Sequence, residues 1–589
     1  MCGIFSYIGS NDNAASIIVE GLKRLDYRGY DSWGVAVSNS HGIFTEKRVG
    51  KIGELQNVKN FPKSFIGIGH TRWATTGAVT QPNAHPHFAT DKSFALAQNG
   101  IVENYEALKK DLIQKGYTFK SETDTEVIVY VIEEELKKKK TLQKAILSAF
   151  KKLKGRNTII LVTKDKEVYA ARNGSPLVVG FNGDDIYLSS DTLSFAKFAK
   201  KMLVIENGQM VQVNGKVRLF DIKNGKERAY KKEPVTITSS EVSKDGFDHF
   251  MIKEIFETPG VLEKISRSEE KPYLTLAQAI KKAKHVYTIG SGSTGIAAAQ
   301  VAFYLRSIGK IQAVSLIGAD AVEYAHLFTK DDLLIALSQS GETADVLEVL
   351  ELAKEQGITI ASHVNMPGSI MTRMSDYKYL SEAGPEICVM ATKTFSAQVA
   401  WGYLLAKTIR GEFASGTKQI AILAQTIQAY LTDKKNHAAL QKIAEILVKK
   451  DDIFLLGKYQ TYNIMREGMV KIVEAAYKHG HALPSGDLKH YVITLMEPGV
   501  PVIVGIANDK TKTDLLTAIS EVRLRGAEVI AIAAEKNPAF DSFIPVFDTQ
   551  ETMAMMILIP LQLLAYYLAK KLGNSIDKPR NIAKSVTVK

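Results

Sequence analysis

The chain has 589 residues, of which 23% are charged and 45% hydrophobic, and its formal net charge is +12. This length predicts roughly three domains at about 100–200 residues each. The composition excludes a disordered chain, and the dispersal of the basic residues, with no basic segment interleaved with aromatics, argues against nucleic-acid binding. Only two cysteines are present, Cys2 and Cys388. A disulfide framework is therefore excluded, and a reducing cytoplasm is expected.

No targeting or membrane segment is predicted. The N-terminus lacks a charged region followed by a long apolar run, so it does not read as a signal peptide. The most apolar stretch, MAMMILIPLQLLAYYLA, begins at Met553, contains Pro560 and Gln562 and is followed by Lys570. It is slightly short for a membrane span, so we expect a buried helix in a cytoplasmic protein.

The first part of the chain is predicted to be rich in strands. IFSYIG, WGVAVS and TIILVT have the composition of strands, and residues 13–25 and 103–114 have helical spacing. The polar and charged segment from Lys223 to Asp248 has weak periodicity and is predicted to be a linker.

The pattern then changes to alternating strands and helices. HVYTIG precedes a helix over 295–306, and DLLIALSQSGE precedes a helix over 344–356. The same order returns with DIFLLGK before a helix from Tyr462, and with VPVIVGIANDK before a helix over 513–524. Short apolar runs that alternate with helices indicate parallel sheets.

The repeated order has a constant spacing. Gly290 and Gly457 are 167 positions apart, and Leu333 and Pro501 are 168 positions apart. Two equivalent pairs of strands at nearly one offset predict a duplicated, doubly wound α/β domain.

Two loops of the first copy combine small and hydroxyl-bearing residues, SGST at 291–294 and SQSGET at 338–343. A loop of this kind between a strand and a helix suits a phosphate monoester, and in a doubly wound sheet both loops open at one edge. The second copy has GKYQT and ANDKT there instead. The chain lacks the G-x-G-x-x-G fingerprint and the G-K-[ST] loop, so a small phosphorylated metabolite is favoured over a nucleotide.

The opening MCGIFSYIGS is suited to a nucleophile. Removal of Met1 before Cys2 and Gly3 would make Cys2 the first residue. Its α-amine, with a pKa of about 7.7–8.0, would then accept the thiol proton, as in N-terminal nucleophile enzymes. For Cys2 taken alone, a small hydrophobe in a strand is an equally good interpretation.

Other residues of the first part supply matching chemistry. Asn99 and Gly100 offer a side-chain amide and a backbone N–H, the donors that an oxyanion hole requires. Arg72 can bind a carboxylate with two nitrogens, and Asp124 can hold an ammonium group.

Longer motifs carry a resemblance to a known family. LSQSGETADVLEVLELAKEQG resembles the phosphosugar-binding motif of sugar isomerase (SIS) domains. MCGI, YRGYDS, GHTRWATTG, NGIVEN and SETDTEV, with the tail DKPRNIAKSVTVK, resemble the glutamine–fructose-6-phosphate aminotransferase family over essentially the whole chain. The implied activity converts fructose 6-phosphate and L-glutamine to glucosamine 6-phosphate and L-glutamate.

The resemblance implies an α/β and α+β multidomain fold. A four-layer αββα N-terminal nucleophile (Ntn) glutaminase domain would be followed by two doubly wound SIS domains. The expected boundaries are a type 2 glutamine amidotransferase domain over 1–221, a linker over 222–270, SIS domains over 271–412 and 413–579, and a catalytic tail over 580–589.

For the glutaminase, the resemblance implies a set of glutamine-binding residues. Arg72 and Asp124 would grip the α-carboxylate and α-amine of glutamine. Trp73 would gate an ammonia channel, Thr75 would line the pocket, and Arg28 would lie on a loop that closes over glutamine.

For the sugar, the reaction needs a Schiff-base lysine, a carboxylate that moves a proton between C1 and C2 and a histidine that opens the ring. The resemblance implies Lys584, Glu474 and His490 in these roles, with His490 supplied by the partner subunit of an obligatory homodimer. Lys471 precedes Glu474 by three positions on one helix face and could stabilise the enediol or enolamine charge.

The implied sugar-phosphate contacts come from both hydroxyl-bearing loops and from the segment before ATKTF; they are Ser293, Thr294, Ser338, Gln339, Ser340, Thr343 and Val389. No cofactor is expected. His85 and His87 lack a Cys/His/acid set at ligand spacing, so no metal site is expected either.

Departures from the family motifs keep two alternatives open. Thr76 replaces the usual histidine, Ala391 a serine near the sugar, and Tyr491 a glycine. One alternative is a related SIS amidotransferase or deglycase that acts on another sugar phosphate. The other is a non-catalytic phosphosugar sensor, against which the presence of Lys584 and Glu474 argues.

Overall fold

The protein is described by a computed structural model that covers residues 2–26, 28–55, 61–138, 140–235 and 243–586. The chain divides into two compact units. The first comprises Met1–Val242 with Ala583–Lys589, and the second comprises Ser243–Ile582. Met1, whose removal is predicted, lies outside the described residues.

The first unit is built from two antiparallel sheets. Its strands are β1 (Gly3–Ile8), β2 (Ser32–Asn39), β3 (Gly42–Val49), β4 (Ile66–Arg72), β5 (His87–Phe88), β6 (Phe94–Gly100), β7 (Asn157–Thr163), β8 (Val168–Asn173), β9 (Val178–Asn182), β10 (Asp185–Ser189), β11 (Lys201–Val204), β12 (Gln209–Val213), β13 (Val217–Asp221), β14 (Glu227–Arg228) and β15 (Glu233–Pro234). The eight-stranded sheet has the order β15-β11-β9-β10-β1-β4-β2-β3, and the seven-stranded sheet has the order β14-β13-β12-β8-β7-β6-β5.

Helices cover the outer faces of these sheets. They are α1 (Ala14–Lys23), α2 (Tyr105–Gln114), α3 (Asp124–Lys137) and α4 (Leu142–Phe150), with short 3-10 helices at Ile52–Glu54 and Thr192–Ser194. Strand β6 contributes side chains to two hydrophobic cores, because successive residues of a strand point to opposite faces. Phe94 and Leu96 pack towards α3 and α4, and Ala95 and Ala97 pack between the sheets. The four-layer αββα arrangement is confirmed, as are the strands IFSYIG, WGVAVS and TIILVT.

The second unit contains two copies of one α/β arrangement. The first copy comprises α5 (Phe250–Ser266), α6 (Glu270–Lys282), β16 (Val286–Gly290), α7 (Ser293–Ser307), β17 (Ala313–Ile317), β18 (Leu333–Ser338), α8 (Ala344–Glu355), β19 (Thr359–Val364), α9 (Ile370–Met374), β20 (Tyr377–Leu380) and α10 (Lys393–Ile409). The second comprises α11 (Phe413–Thr432), α12 (Lys434–Val448), β21 (Asp452–Gly457), α13 (Tyr462–Ala476), β22 (His479–Pro484), β23 (Pro501–Gly505), α14 (Lys512–Arg523), β24 (Glu528–Ala533), β25 (Ser542–Pro545) and α15 (Met553–Leu572). Short 3-10 helices lie at Ala321–Leu327, Tyr459–Thr461, Asp487–Lys489, Val492–Leu495 and Gln550–Thr552.

The two sheets of this unit have the same topology. Both are parallel, with the orders β17-β16-β18-β19-β20 and β22-β21-β23-β24-β25. In each sheet the second strand of the copy lies outside the first, and the remaining strands follow on the other side. The predicted duplication and the doubly wound class are confirmed.

Helix α15 is the apolar segment singled out in the sequence. Among the described residues, Gln550–Leu572 is the one helical segment long and apolar enough to cross a membrane, and 94% of its most apolar window is buried inside the protein. The prediction of a buried helix is confirmed.

The linker predicted over 222–270 requires correction. Strands β14 and β15 lie within it and pair with the sheets of the first unit. Helix α5 also lies within it and buries Ile255 and Leu262 in the core of the second unit, because its apolar residues recur at helical spacing. Residues 236–242 of this segment lie outside the described residues.

One carboxylate joins the beginning and the end of the second unit. Asp577 follows α15 and accepts hydrogen bonds from the backbone N–H groups of Phe250 and Met251, each at 2.9 Å. These two groups are unpaired donors at the N-terminus of α5, so Asp577 caps that helix from a distant part of the chain.

Candidate active sites

Cys2 is held beside the end of a neighbouring strand. Strand β1 pairs with β4, so Gly3 lies opposite Thr71 and Cys2 reaches Trp73. The backbone N–H of Trp73 donates to Cys2 Sγ at 3.4 Å, and Cys2 Sγ lies 3.5 Å from Trp73 O. Burial raises the pKa of the Cys2 thiol. A neutral thiol needs a base before it can act as a nucleophile.

Asn99 and Gly100 end β6 beside Cys2. Asn99 Nδ2 donates to the backbone oxygen of Cys2 at 3.1 Å. Gly100 has φ +137°, and a Cβ on it would lie 2.1 Å from the backbone oxygen of Arg156. Only glycine fits this conformation. The structure therefore brings together Cys2 and the two predicted oxyanion donors, whose roles stay a prediction.

Arg72 is the last residue of β4 and is almost completely buried. Its Nη2 donates to the backbone oxygens of Thr76 at 2.6 Å and Gly77 at 3.1 Å, and its Nη1 donates to that of Ala78 at 3.2 Å. Burial lowers the pKa of Arg72, against the effect of nearby acidic groups. Thr76 thus contributes its backbone oxygen to Arg72, a contact that is independent of the side chain at this position.

Asp124 begins α3 and is also buried. Its Oδ2 accepts a hydrogen bond from the backbone N–H of Val102 at 2.7 Å, and burial raises its pKa. Arg72 and Asp124 are close enough to shift each other's pKa. A buried cation and a buried carboxylate within electrostatic range of each other match the two charges of an α-amino acid.

The three other predicted glutamine contacts are arranged differently. Arg28 forms a buried ion pair with Asp191, with Nη1 2.9 Å from Oδ2. Trp73 is half-buried and contacts Cys2 through its backbone, and Thr75 is exposed. The structure therefore places Trp73 at the nucleophile, and it pairs Arg28 with Asp191.

In the second unit, the loop after β16 is closed by its own hydroxyls. Thr294 Oγ1 donates to the backbone oxygen of Ser291 at 2.8 Å and accepts from its N–H at 3.2 Å. Ser293 Oγ donates to Glu467 Oε1 at 2.9 Å. Thr294 therefore shapes the loop, and Ser293 connects it to helix α13 of the second copy.

The loop after β18 is shaped in the same way. Ser338 Oγ accepts from the N–H of Gly341 at 2.8 Å, and Ser340 Oγ accepts from that of Glu342 at 3.2 Å. Gly341 has φ +67°, and a Cβ on it would lie 2.1 Å from Ser369 Oγ. These hydroxyls hold a tight turn.

The remaining predicted sugar-phosphate residues lie around this turn. Thr343 Oγ1 is 3.5 Å from Ser338 Oγ, immediately before α8. The backbone oxygen of Gln339 accepts from Asn365 and Met366, at 3.2 and 3.1 Å.

Val389 precedes the ATKTF segment. It is buried, and its N–H donates to the backbone oxygen of Asp577 at 3.0 Å. Its role as a sugar-phosphate contact stays a prediction.

Helix α13 carries a buried charge cluster that faces Ser293. Lys471 Nζ donates to Glu474 Oε2 at 2.6 Å and to Ser293 Oγ at 3.2 Å, and it lies 3.3 Å from Glu467 Oε1. The side chains of Lys471 and Glu467 are fully buried, and 25% of that of Glu474 is exposed. Lys471 and Glu474, which the sequence places on one helix face, are therefore in contact, and their roles stay a prediction.

The cluster shifts the ionisation of its members. Burial raises the pKa of Glu467 to about 7, partly opposed by Lys471. Burial opposes the charge on Lys471, but Glu467 and Glu474 outweigh it and raise its pKa. The sequence analysis missed Glu467, although its spacing of four residues from Lys471 on one helix face was visible.

The other two predicted sugar residues are His490 and Lys584. His490 and Tyr491 are exposed on the segment after β22, with Tyr491 59% exposed. Lys584 is grouped with the first unit. The chain leading to it is anchored at the end of α13, where the N–H of Arg580 donates to Tyr477 Oη at 2.9 Å.

Within the described ranges, no group of three or more His, Cys, Asp or Glu side chains is arranged to hold a metal ion. His85 and His87 are buried, and their Nε2 atoms lie 3.0 Å from the hydroxyls of Thr125 and Thr123.

Comparison with known proteins identifies both units. A glutamine amidotransferase domain matches residues 70–197, and SIS domains match residues 279–408 and 446–571. The glutamine–fructose-6-phosphate aminotransferase (isomerizing) of Pyrococcus horikoshii is 36% identical over 599 aligned residues, with all of both chains covered. The enzyme of that name from Aquifex aeolicus is 36% identical over 608, again with full coverage.

The chain belongs to the glutamine–fructose-6-phosphate aminotransferase (isomerizing) family. Among solved structures, the C-terminal domain of the glucosamine–fructose-6-phosphate aminotransferase from Francisella tularensis has a TM-score of 0.52 at 27% identity. It covers 57% of this chain and all of that domain. The family resemblance found in the sequence is confirmed.

Proposed function

We propose that this family member converts L-glutamine and D-fructose 6-phosphate into L-glutamate and D-glucosamine 6-phosphate, the first step of amino-sugar synthesis. The observation that carries the proposal is the presence of two sites in one chain. Cys2 and Asn99 form the first, and Ser293 with the Lys471–Glu474 pair forms the second. One suits the release of ammonia from an amide, and the other suits proton transfer on a phosphorylated sugar.

In the glutaminase half, the amine of Cys2 takes the thiol proton after Met1 has been removed. The thiolate attacks the side-chain carbonyl carbon of glutamine, and the oxyanion formed is stabilised by Asn99 Nδ2 and the N–H of Gly100. Ammonia leaves with the proton, and water then hydrolyses the thioester to glutamate. Arg72 and Asp124 hold the α-carboxylate and α-ammonium of the substrate.

In the sugar half, His490 from a partner subunit opens the ring of fructose 6-phosphate. Lys584 forms an imine at C2 with loss of water, and ammonia displaces the lysine amine. Glu474 then moves a proton from C1 to C2, which gives the aldose with its amine at C2. Lys471 stabilises the negative charge that develops between these steps. The contact of Lys471 with Glu474 supports this assignment.

Two features of the setting are part of the proposal. A homodimer is proposed because the ring-opening histidine would come from a second subunit. A cytoplasmic location is proposed because the chain has two free cysteines and a reactive thiol at position 2.

The test measures glutamate and glucosamine 6-phosphate from the purified protein with both substrates. Wild type should form both products. Cys2→Ala should lose glutamine use, whereas Cys388→Ala, a change at the buried cysteine of the second unit, should retain it. A folded dimer that forms no amino sugar would overturn the proposal, and glutamine-dependent synthesis by Cys2→Ala would overturn the nucleophile.

Intact mass gives an independent check of the base. The active protein should lack Met1, since retained methionine would leave Cys2 without a free α-amine. An active preparation in which every chain retains Met1 would contradict the role of that amine.

A second candidate is the same chemistry on another sugar phosphate. It is favoured by Ala391 and Tyr491, where the family has serine and glycine. A panel of ketose and aldose phosphates decides between the two. The highest kcat/KM on fructose 6-phosphate would exclude this candidate.

A further inference from the structure

Three buried histidines, His70, His85 and His87, lie in contact with one another, in tilted and edge-to-face arrangements. The ring centroids of His70 and His85 are 4.3 Å apart, and those of His85 and His87 are 5.0 Å apart. Burial lowers the pKa of His70 to about 3 and holds the pKa values of the other two well below their usual range. All three rings are therefore neutral at physiological pH, so each has one N–H and one bare nitrogen.

Hydrogen bonding decides which nitrogen of His70 carries the proton. His70 Nε2 lies 2.9 Å from the backbone oxygen of Gln98 and 3.2 Å from Asn99 Oδ1. A backbone oxygen can only accept a hydrogen bond, so Nε2 must be the donor. Nδ1 is then the bare nitrogen.

This tautomer in turn decides the orientation of the Asn99 amide. The atom of Asn99 that faces the N–H of His70 must be an acceptor, which is Oδ1. The amino group of Asn99 consequently points to Cys2, where Nδ2 lies 3.1 Å from the backbone oxygen. The opposite orientation would place two donors face to face and would turn an acceptor towards the developing oxyanion.

A second histidine, His85, contacts Gln98, the residue whose backbone oxygen accepts from His70. The N–H of Gln98 donates to His85 Nδ1 at 3.5 Å, so Nδ1 is bare and Nε2 donates to Thr125 Oγ1 at 3.0 Å. Thr125 Oγ1 donates in turn to Gln98 Oε1 at 2.6 Å. These bonds connect the first turn of α3 to Cys2 through Gln98, His70 and Asn99, and they satisfy buried polar groups as a network.

We propose that His70 is a positioning residue for glutamine hydrolysis, which fixes the amide of Asn99 with its amino group towards the oxyanion. The inference rests on the proposed glutaminase. It adds that the oxyanion hole depends on a neutral histidine that touches neither substrate nor nucleophile. Because the oxyanion exists only in the transition state, loss of His70 lowers kcat and leaves the binding of glutamine by Arg72 and Asp124 in place.

The experiment measures glutamate release at several glutamine concentrations. His70→Phe should lower kcat about 100-fold with little change in KM. His70→Gln, whose terminal amide can donate to the same oxygens, should recover about tenfold of that loss. His87→Phe is the matched control, since it removes an equally buried ring that contacts Thr123 and not Asn99; its kcat should stay within about threefold of wild type.

A double-mutant cycle separates positioning from packing. If His70 acts through Asn99, adding His70→Phe to Asn99→Ala should change kcat less than about threefold. Melting temperatures of all variants identify any that fail to fold.

Three results overturn the inference. The first is full kcat in folded His70→Phe, and the second is a full 100-fold loss on the Asn99→Ala background. The third is loss in His70→Phe without recovery in folded His70→Gln. In all three the wild type still hydrolyses glutamine, so the proposed function stands. A folded wild type that releases no glutamate overturns both.

Discussion

The two SIS copies of the second unit share one loop backbone after the first strand. Thr294 and Thr461 are equivalent at the offset of 167 positions found in the sequence. The hydroxyl of Thr294 bonds to the carbonyl and N–H of Ser291, at 2.8 and 3.2 Å. That of Thr461 does the same with Lys458, at 3.1 Å in both bonds. Duplication has therefore preserved the frame of the loop down to a single side-chain motif.

The copies differ in the side chains placed on this frame. Ser293 and Gln460 are equivalent, and so are Gln300 and Glu467. Ser293 Oγ donates to Glu467 Oε1 at 2.9 Å, and Gln300 Nε2 donates to the backbone oxygen of Gln460 at 3.3 Å. The same contact between helices is made twice, once with a buried charge and once with neutral groups. The proposed sugar site thus combines a loop of the first copy with a charged helix of the second.

The equivalent edge of the second copy is occupied by its own side chains. Lys458 pairs with Asp514, and Gln460 Nε2 donates to Asp509 Oδ2 at 2.9 Å. Thr511 Oγ1 also donates to Asp509, at 2.6 Å. The first copy has small hydroxyl residues in these loops. The same loop frame therefore carries small hydroxyl residues in the first copy and charged or polar side chains that pair with one another in the second.

Lys471→Met should have the largest effect on the difference between the two copies. This change leaves the buried Glu467 and the partly exposed Glu474 without their cation, so the free energy of unfolding should fall by about 3–5 kcal/mol. Synthesis of amino sugar should fall at least about 100-fold. Tyr304 occupies the position of Lys471 in the first copy, at the same offset of 167 positions. Tyr304→Phe should lower the free energy of unfolding by less than about 1 kcal/mol and leave synthesis intact. Equal effects at the two positions would contradict the asymmetry.

Glu467→Gln makes the contact neutral, as it is in the other copy. Because the folded-state pKa of Glu467 is raised from 4.5 to about 7, the folded state binds its proton more tightly. Stability from this group is complete below pH 4.5 and is lost as pH rises through 7. Relative to Glu467→Gln, the free energy of unfolding of wild type should fall by about 3 kcal/mol over this window. Urea titrations at pH 5 and 8 measure it, and parallel pH curves would exclude a buried, titrating Glu467.

Ser293→Ala removes the hydroxyl that joins the two copies at the charged contact. Two hydrogen bonds to ionised groups are lost, so the free energy of unfolding should fall by about 2 kcal/mol. The KM for the sugar phosphate should rise. Gln460→Ala is the equivalent change in the neutral contact and should cost less than about 1 kcal/mol, since the backbone oxygen remains. A larger loss of stability in Gln460→Ala than in Ser293→Ala would show that the neutral contact contributes more to stability than the charged one.

Lys458→Met should have the smallest effect. The side chains of Lys458 and Asp514 are 34% and 56% exposed, and exposed ion pairs contribute about 0.5 kcal/mol or less. Synthesis should remain at the wild-type rate. A rate reduced as much as by Ser293→Ala would mean that the second copy's edge takes part in the reaction.

Most of the architecture was readable in the sequence because it depends on local patterns. Composition predicted β1, β2 and β7, and the repeated order of strands and helices predicted the duplicated parallel sheets. The spacing of Lys471 and Glu474 placed them on one helix face for the same reason, since that inference needs only one helix. Helix α5 was the exception, because the polar residues before it masked its apolar face.

The parts that sequence reasoning missed depend on distant neighbours. Glu467 resembles a surface residue until α7 covers it, and His70 gains its importance from Gln98 and Asn99 on an adjacent element. The ligand contact expected of Ser338 stays a prediction, and the sequence did not indicate that its hydroxyl also accepts a backbone N–H within the turn. A single sequence gives the order of residue types, but it does not show which polar groups form hydrogen bonds with one another.

The contact of Asp577 with helix α5 brings the two ends of the second unit together. The Asp577 carboxylate holds the first turn of α5, so the polypeptide enters and leaves this unit at one point. A module whose ends meet can be excised, inserted into a loop of another host or circularly permuted without opening its core. The same geometry lets recombination exchange the module between unrelated partners as a single cassette.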